Sequence, residues 1–363
     1  MQKFFLLLLG TLLFNSGLLK AQEKFTITGK VIDSTSQQPM KGASVFCQNT
    51  TFGVITDSEG EFSLTLPKGG YDLVISFTGF QAAEYRINAS SNIEPMLVQL
   101  IPKDKSMESV TVAGSNEVPD GWAKYGSFFM EQFFGTTANA KQCSLENPDA
   151  LRFFYSKKRN RLKVLAKEEL RIVNEALGYR IRYQLDSLSF EYATKIAMYT
   201  GYPFYEEMEG TPEQEEVWEK NRLKAYNGSK LHFMRAWHAG TIEEEGFVLE
   251  RVNNQDPKEF ESARLENYYD TSFYLKDSGV VDIQLTGKFR IKYYKEMPDP
   301  AFVKFYKLPP HIRVQLTVLD ILNDFVIEEN GYWWEQADLI NTGYWSYERV
   351  ADAVPYDYSP PED

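Results

Sequence analysis

The histidines are the first candidates for metal or acid–base chemistry in this sequence, which contains three of them: His232, His238 and His311. His232 and His238 are separated such that on a helix their side chains would point about 120° away from each other. No histidine begins an HxxE or HExxH pattern, which would place zinc ligands on one face of a helix. The sequence therefore predicts no metal site and no cofactor.

Other catalytic groups also lack a recognisable arrangement. The sequence has no GxSxG motif, the usual setting of a hydrolase serine, and Cys143 would need a histidine from a distant part of the chain. Carboxylates are abundant, for example at 206–207 and 243–245, and glycosidases use two carboxyl groups several ångströms apart. Charge runs are, however, typical of solvated faces. We predict a protein that is not an enzyme and keep a hydrolase with carboxylate catalysis as an alternative.

The densest aromatic cluster lies near the end of the sequence. It consists of six rings, Tyr332, Trp333, Trp334, Tyr344, Trp345 and Tyr347. Exposed rings would stack on a sugar or a peptide, which makes Trp333, Trp334 and Trp345 the candidate binding residues. The same rings also suit cross-strand packing inside a core. We favour core packing and keep a glycan-binding surface as the alternative.

Composition limits the classes of partner. Hydrophobic residues make up 43% and charged residues 25% of the 363 residues, which is typical of a folded protein with a core. The formal net charge of -12 would repel a phosphate backbone, so we expect no nucleic-acid partner.

The beginning of the sequence resembles a secretory signal peptide, with Lys3 before an apolar run at 4–13 and a cleavage site after Ala21. The run is too short for a membrane span of roughly 20 residues, so we expect no integral span after cleavage. The signal peptide, 1–21, predicts export. We expect the protein in the periplasm or at the outer membrane, with the cell surface as a further location.

Residues 22–101 form the first predicted domain. Apolar and polar side chains alternate with a period of two, as at Phe62, Leu64 and Leu66, and turn residues at 57–60 and 67–70 separate the runs. Short strands punctuated in this way are typical of a compact antiparallel β-sandwich.

This segment also resembles a known family. The positions that carry the resemblance are Gly29-Lys30-Val31, Asp33, Pro39, Gly42-Ala43-Ser44-Val45, Gly53, Thr56-Asp57, Gly60, Phe62, Gly69, Tyr71 and Ser76-Phe77-Thr78-Gly79-Phe80. In order and spacing they are similar to the carboxypeptidase-regulatory-like domain. The resemblance implies a seven-stranded, transthyretin-like sandwich. It implies no catalytic zinc, because the zinc of carboxypeptidases lies in a different domain.

Similar domains occur at the periplasmic N-terminus of starch-uptake-type TonB-dependent receptors, and the resemblance continues through residues 110–114. A receptor barrel of roughly 22 strands would need far more chain than follows. We therefore expect a protein that carries the receptor-type module without being a receptor.

The remaining chain is predicted to be a linker, 102–121, rich in charged residues, Ser, Gly and Pro, and then an α+β domain of unknown function, 122–363. A break near residue 241 would divide that domain into two subdomains. The patterns predict helices over 122–134, 167–177, 211–226 and 229–239, a hairpin over 151–166, and strands within 280–294, 312–319 and 325–327. The whole chain is thus predicted to be β-rich and multidomain.

Two further features of the sequence bear on this region. Residues 174–183, 228–233 and 349–352 loosely resemble uncharacterised exported proteins, and that resemblance implies no activity. Cys47 shares a predicted strand face with Val45, so we expect a small buried hydrophobe and no disulfide with Cys143.

These observations favour a non-enzymatic exported envelope protein. Its β-sandwich would be a docking module, and its α+β domain would bind an envelope protein partner, in a role accessory to an outer-membrane complex. A glycan-binding protein using the tryptophan cluster and a hydrolase are the alternatives.

Overall fold

The computed structural model describes the chain in five segments, 23–90, 94–103, 116–252, 262–277 and 279–361. The predicted signal peptide and residues 104–115 of the predicted linker lie outside them. The described chain is β-rich, with several sheets and few helices, as the sequence predicts. No helix in these five segments has the length and apolar character that a membrane crossing requires.

Seven strands form the N-terminal sandwich, which confirms the predicted fold. They are β1 (Lys24–Asp33), β2 (Ser44–Cys47), β3 (Gly53–Ile55), β4 (Glu61–Pro67), β5 (Gly70–Ser76), β6 (Ala83–Asn88) and β7 (Met96–Leu100). One sheet has the order β4-β1-β7 and the other β3-β2-β5-β6. All pairs are antiparallel except β1 with β7. Strands β1 and β7 are separated in sequence by the other five strands, and so long a connection permits a parallel pair, which a tight hairpin cannot make.

The sandwich core follows from the alternation along its strands. In β4, Phe62, Leu64 and Leu66 are buried while the residues between them are exposed. Cys47 lies in the same core with no accessible surface, as a free thiol, and Cys143 is also free.

A second sheet of six strands follows. Its strands are β8 (Cys143–Leu145), β9 (Leu151–Ser156), β10 (Arg161–Ala166), β11 (Leu170–Asn174), β12 (Tyr179–Glu191) and β13 (Ile196–Glu207). The long strand β12 pairs on one edge with β11 and β10, and along its other edge with β13. Helix α1 (Gly121–Phe134) packs on this sheet through Phe129 and Phe133, in agreement with the predicted helix.

The predicted helix over 167–177 is wrong, because this segment contains strand β11. Its composition suits a helix, yet Leu170 and Ile172 point into the core and Arg171 points out, which is a period of two. Pairing with β12 supplies the backbone hydrogen bonds. Tertiary pairing outweighs the local helix preference here.

Two predicted helices are confirmed, α2 (Pro212–Tyr226) and α3 (Lys230–Ala239). Thr211 and Gln214 form the expected capping box at the start of α2. At the start of α3 the Ser229 hydroxyl accepts a hydrogen bond from the backbone N–H of His232, at 3.1 Å.

The remaining elements form two sheets. The strands are β14 (Phe247–Val252), β15 (Ser262–Arg264), β16 (Tyr274–Asp277), β17 (Val280–Ile283), β18 (Gly287–Tyr293), β19 (Gln315–Ile321), β20 (Phe325–Glu328) and β21 (Leu339–Gly343). Their orders are β15-β14-β18-β19-β21 and β16-β17-β20. The helices here are α4 (Pro300–Phe305) and α5 (Tyr344–Tyr347), and single 3₁₀ turns lie at Ala140–Gln142, Pro148–Ala150, Gln336–Asp338 and Val350–Asp352.

One hydrophobic core extends through the region after the sandwich. It joins Phe129 and Trp237, which precede residue 241, to Phe247 and Phe325, which follow it. Residue 241 therefore marks no gap in the packing.

Candidate functional site

The outer face of the β3-β2-β5-β6 sheet packs against strand β13. Phe46, Val74 and Phe204 form a small buried cluster between them, and the rings of Phe46 and Phe204 are 5.3 Å apart. The backbone continues the contact, because the Asn49 N–H donates to the carbonyl of Pro203 at 2.8 Å. The sandwich is thus fixed to the second region of its own chain.

The loop after β20 makes a second contact with the sandwich. The Tyr332 hydroxyl donates to Asp72 Oδ1 at 2.7 Å, and the Asn330 amide donates to the carbonyl of Gly70 at 2.9 Å. A Cβ on Gly70 would lie 2.5 Å from a side-chain carbon of Glu328, so this close approach requires glycine. Burial raises the pKa of Asp72, and the hydrogen bond from Tyr332 opposes that shift.

A cavity of about 930 Å³ lies beside these contacts, and we call it the junction cavity. Its walls come from the sandwich, from β13, from Lys230 at the start of α3, and from segments 333–341 and 348–353. This volume falls within the range of small-molecule and cofactor sites, roughly 300–1,000 Å³.

Strand β13 contributes consecutive residues, 197–203, to the cavity wall. Neighbouring side chains on a strand point to opposite faces, so a cavity lined by every residue of this run contacts its backbone as well as its side chains. Within the described chain, Ile196–Tyr202 pairs with β12 only, whereas the Tyr205 N–H donates to the carbonyl of Thr50 in the sandwich. The edge of β13 is therefore open along the cavity and closed where the sandwich begins.

Lys230 stands out among the charged residues of the cavity. Its ammonium lies 4.3 Å from the centre of the Trp333 ring and has no hydrogen bond or ion pair with the described residues. Burial lowers its pKa to about 7, because a desolvated ammonium is disfavoured. Lys230 is the first residue of α3, a position where the helix dipole also disfavours a cation.

The other cations of the cavity have oxygen partners. Arg86 pairs with Glu335 at 2.8 Å, and Arg349 donates to the backbone carbonyl and the side chain of Gln132. The charge of Arg86 is therefore paired with a carboxylate, whereas Arg349 has hydrogen-bond acceptors that are neutral oxygens.

Carboxylates also line the cavity, at Asp72, Glu84 and Asp186 among others. Glu84 accepts from the Tyr202 hydroxyl at 3.1 Å. Asp186 lies at an irregularity in the pairing of β12 with β13, and burial together with the nearby charge of Glu84 raises its pKa. The walls thus present more negative than positive groups around Lys230.

The three candidate tryptophans are dispersed. Trp345 is 9% exposed, packs against Phe233 and donates its N–H to the carbonyl of Gly228 at 2.7 Å, inside the core. Trp333 is 7% exposed and forms part of the cavity wall. Trp334 is half-buried beside Glu328, to which it donates at 3.0 Å. They do not form one exposed stacking face.

The histidines that the sequence singled out lie in separate places. The His232 imidazole contacts the Glu245 carboxylate at 3.1 Å, while His238 contacts the carbonyl of Gly279 at 2.8 Å. Burial lowers the pKa of both. The described residues contain no cluster of three or more His, Cys, Asp or Glu that could hold a metal.

Sequence reasoning missed Lys230 and the β13 edge. The signal for Lys230 is its position directly after the capping residue Ser229, where acidic side chains are normally preferred. No local signal marks Ile196–Tyr202 as an edge, because strand neighbours are set by pairing across the sheet.

Comparison with known proteins places the N-terminal sandwich. Residues 27–112 match the family model of the CarboxypepD_reg-like domain, so this segment carries that domain. Over 98 residues the chain is 35% identical to TonB-dependent receptor SusC of Bacteroides thetaiotaomicron, and over 141 residues it is 26% identical to TonB-dependent receptor P3 of Formosa agariphila. These matches cover 26% and 39% of this chain but 9% and 12% of the receptors. The chain thus spans about a tenth of the length of these relatives.

Solved structures offer weak similarity. A DUF3823 family protein from Bacteroides ovatus is 11% identical, with 52% of this chain and 83% of that chain covered and a TM-score of 0.19. A cohesin–X-dockerin complex from Acetivibrio cellulolyticus is 19% identical, with 31% and 76% covered and a TM-score of 0.19. Similarity at this level carries no argument about the fold or function of the whole chain.

Proposed function

We propose that this protein is a non-enzymatic binding protein of the cell envelope, in which the junction cavity receives an extended segment of a partner protein. The observation that carries the proposal is the open edge of β13 along the cavity. An unpaired edge presents a row of backbone donors and acceptors, and an added strand satisfies them.

The side chains at this edge support the same interpretation. Ile196 and Met198 are 53% and 69% exposed, and no charged residue lies within Ile196–Tyr202. Exposed apolar edge strands without charges promote association unless something covers them. A bound segment would both pair with the backbone and cover these side chains.

The sandwich has a different role in this proposal from the one its sequence suggested. Its β3-β2-β5-β6 sheet is occupied by the second region of the same chain, so the module closes one wall of the cavity instead of docking elsewhere through this face. An envelope location is supported by the resemblance of the N-terminal segment to TonB-dependent receptors and by the predicted signal peptide.

Site-specific photo-crosslinking in intact cells tests the proposal. A photoreactive residue replaces Met198 at the open edge, and the matched control replaces Val217, which is 53% exposed on α2. We expect a discrete protein adduct from position 198 and none from position 217. Absence of an adduct at 198, or the same adducts from both positions, would contradict the proposal.

The same experiment separates the glycan alternative. Trp333, Tyr199 and Tyr202 bring aromatic rings to the cavity wall, and such rings stack on sugars. If the ligand crosslinked at position 198 survived protease digestion and was removed by glycosidases, it would be a glycan and not a protein segment.

A further inference from the structure

We propose that the segment bound in the junction cavity ends there, and that the Lys230 ammonium holds its free C-terminal carboxylate. This inference rests on the proposed function, since it names the chemistry of the segment that β13 would bind. It is based on the observation that an open strand edge and an unpaired ammonium lie in the walls of the same cavity.

The first argument is the uncompensated charge of Lys230. A partly buried ammonium needs an acceptor, and the Trp333 ring, 4.3 Å away, supplies only part of what water or a carboxylate would supply. The pKa of Lys230 is lowered for the same reason, because burial removes water from the ammonium. An anion in the cavity would restore the charged form of Lys230 and gain a charge-assisted hydrogen bond.

The second argument is the extent of the open edge. From Ile196 to Tyr202 the edge spans roughly 20 Å, which matches about six residues of an added strand. Beyond Tyr202, β13 is bridged to Asn49 and Thr50 of the sandwich, so a bound segment meets an obstacle there. A chain that terminates in the cavity fits this geometry better than one that passes through it.

The third argument concerns which anion. Asp72, Glu84 and Asp186 line the same cavity and would repel a segment with several acidic side chains. A segment whose single negative group is its terminus meets less of that repulsion, and the Lys230 ammonium opposes what remains. The backbone edge and one ammonium together recognise a main chain and its end, without requiring any particular side chain.

The test uses the full chain and two degenerate octapeptide libraries, one with free C-terminal carboxylates and one with C-terminal amides. Bound peptides are recovered and counted by mass spectrometry. We expect the carboxylate library to be retained at least about tenfold over the amide library, since a charge-assisted hydrogen bond contributes roughly 1.5–3 kcal/mol.

Two variants test whether Lys230 causes the preference for free carboxylates. Lys230→Met keeps most of the length of the side chain without its charge and should reduce retention of the carboxylate library to the level of the amide library. The matched control is Lys220→Met on α2, where Lys220 pairs with Glu216 at the surface, and it should retain the preference. The comparison of the two libraries on the wild-type chain does not depend on how either variant folds.

Each result has a distinct meaning. Equal retention of both libraries would overturn the role of the carboxylate and leave segment binding intact. Retention of neither library would contradict segment binding itself. If acetate raised the melting temperature of the wild type but not of Lys230→Met, while the two libraries were retained equally, Lys230 would bind a small free anion, and the present inference would be wrong.

Discussion

The two sheets of the sandwich share one core but have different outer faces. In the β4-β1-β7 sheet, strand β4 alternates buried and exposed residues, and Leu97 of β7 is 59% exposed. In the other sheet, every residue of β5 from Gly70 to Ile75 is buried. The first sheet therefore faces solvent, whereas the second is buried on both sides at its strand β5, by the sandwich core and by the second region.

This difference shows that the sandwich can form one wall of the junction cavity although the cavity does not lie within the sandwich. The β3-β2-β5-β6 sheet holds Phe46 and Val74 against Phe204, and the same contact places Asp72 and Arg86 in the cavity wall. The geometry of the cavity thus depends on the interface between the sandwich and the second region. Substitutions at that interface test whether the outer faces of the two sheets differ in this way.

The largest expected effect is at Phe46. Phe46→Ala should lower the free energy of unfolding by about 3–5 kcal/mol, because it removes a fully buried ring and leaves a cavity. Urea unfolding followed by tryptophan fluorescence measures this change. Leu97→Ala, on the outer face of the other sheet, is the control and should cost less than about 1 kcal/mol. Similar losses for both variants would contradict the assignment of the two faces.

The buried hydrogen bond from Tyr332 to Asp72 provides a second test of the contact between the sandwich and the second region. Tyr332→Phe should cost about 1–3 kcal/mol at neutral pH, because a buried carboxylate loses its donor. Without that donor the pKa of Asp72 rises further, so the cost should grow as the pH rises above the ordinary aspartate range, about 4, and should shrink below it. Urea unfolding at acidic and neutral pH measures the dependence.

Tyr85→Phe is the control for this variant. Tyr85 lies on β6 of the same sheet, and its hydroxyl has no hydrogen bond to the described residues. We expect it to change the free energy of unfolding by less than about 0.5 kcal/mol at either pH. A Tyr332→Phe cost that did not vary with pH would show that Asp72 is not the group involved.

Much of the sandwich could be predicted because its signals are local. The alternation at Phe62, Leu64 and Leu66 identifies both the strand and its buried face, and the capping box at Thr211 likewise marks the start of α2. The error at 167–177 has the opposite cause. There the composition favours a helix, and only pairing with β12, a non-local contact, makes Leu170–Asn174 a strand.

The cavity could not be predicted, because its walls come from residues distant in the sequence. Asp72, Tyr202, Lys230 and Trp333 meet only after the sandwich packs on the second region. The sequence did indicate one of them, since Trp333 belongs to the aromatic cluster. For the whole cluster it favoured core packing and kept a stacking surface as the alternative. The Trp345 ring lies in the core, whereas Trp333 lines the cavity, because neighbours in sequence enter different elements.

The smallest expected effect is at the rim of the interface, where Arg86 and Glu335 pair at 2.8 Å with side chains that are 40% and 56% exposed. Water screens such a pair, so Glu335→Gln should lower the free energy of unfolding by less than about 1 kcal/mol, and high salt should remove the difference. The Arg86 guanidinium would still lie over the Trp334 ring, 5.3 Å from its centre. Urea unfolding at low and high salt measures the effect. A loss comparable to that of Phe46→Ala would mean that charge pairing at the rim, and not apolar burial at Phe46 and Phe204, holds the sandwich in place.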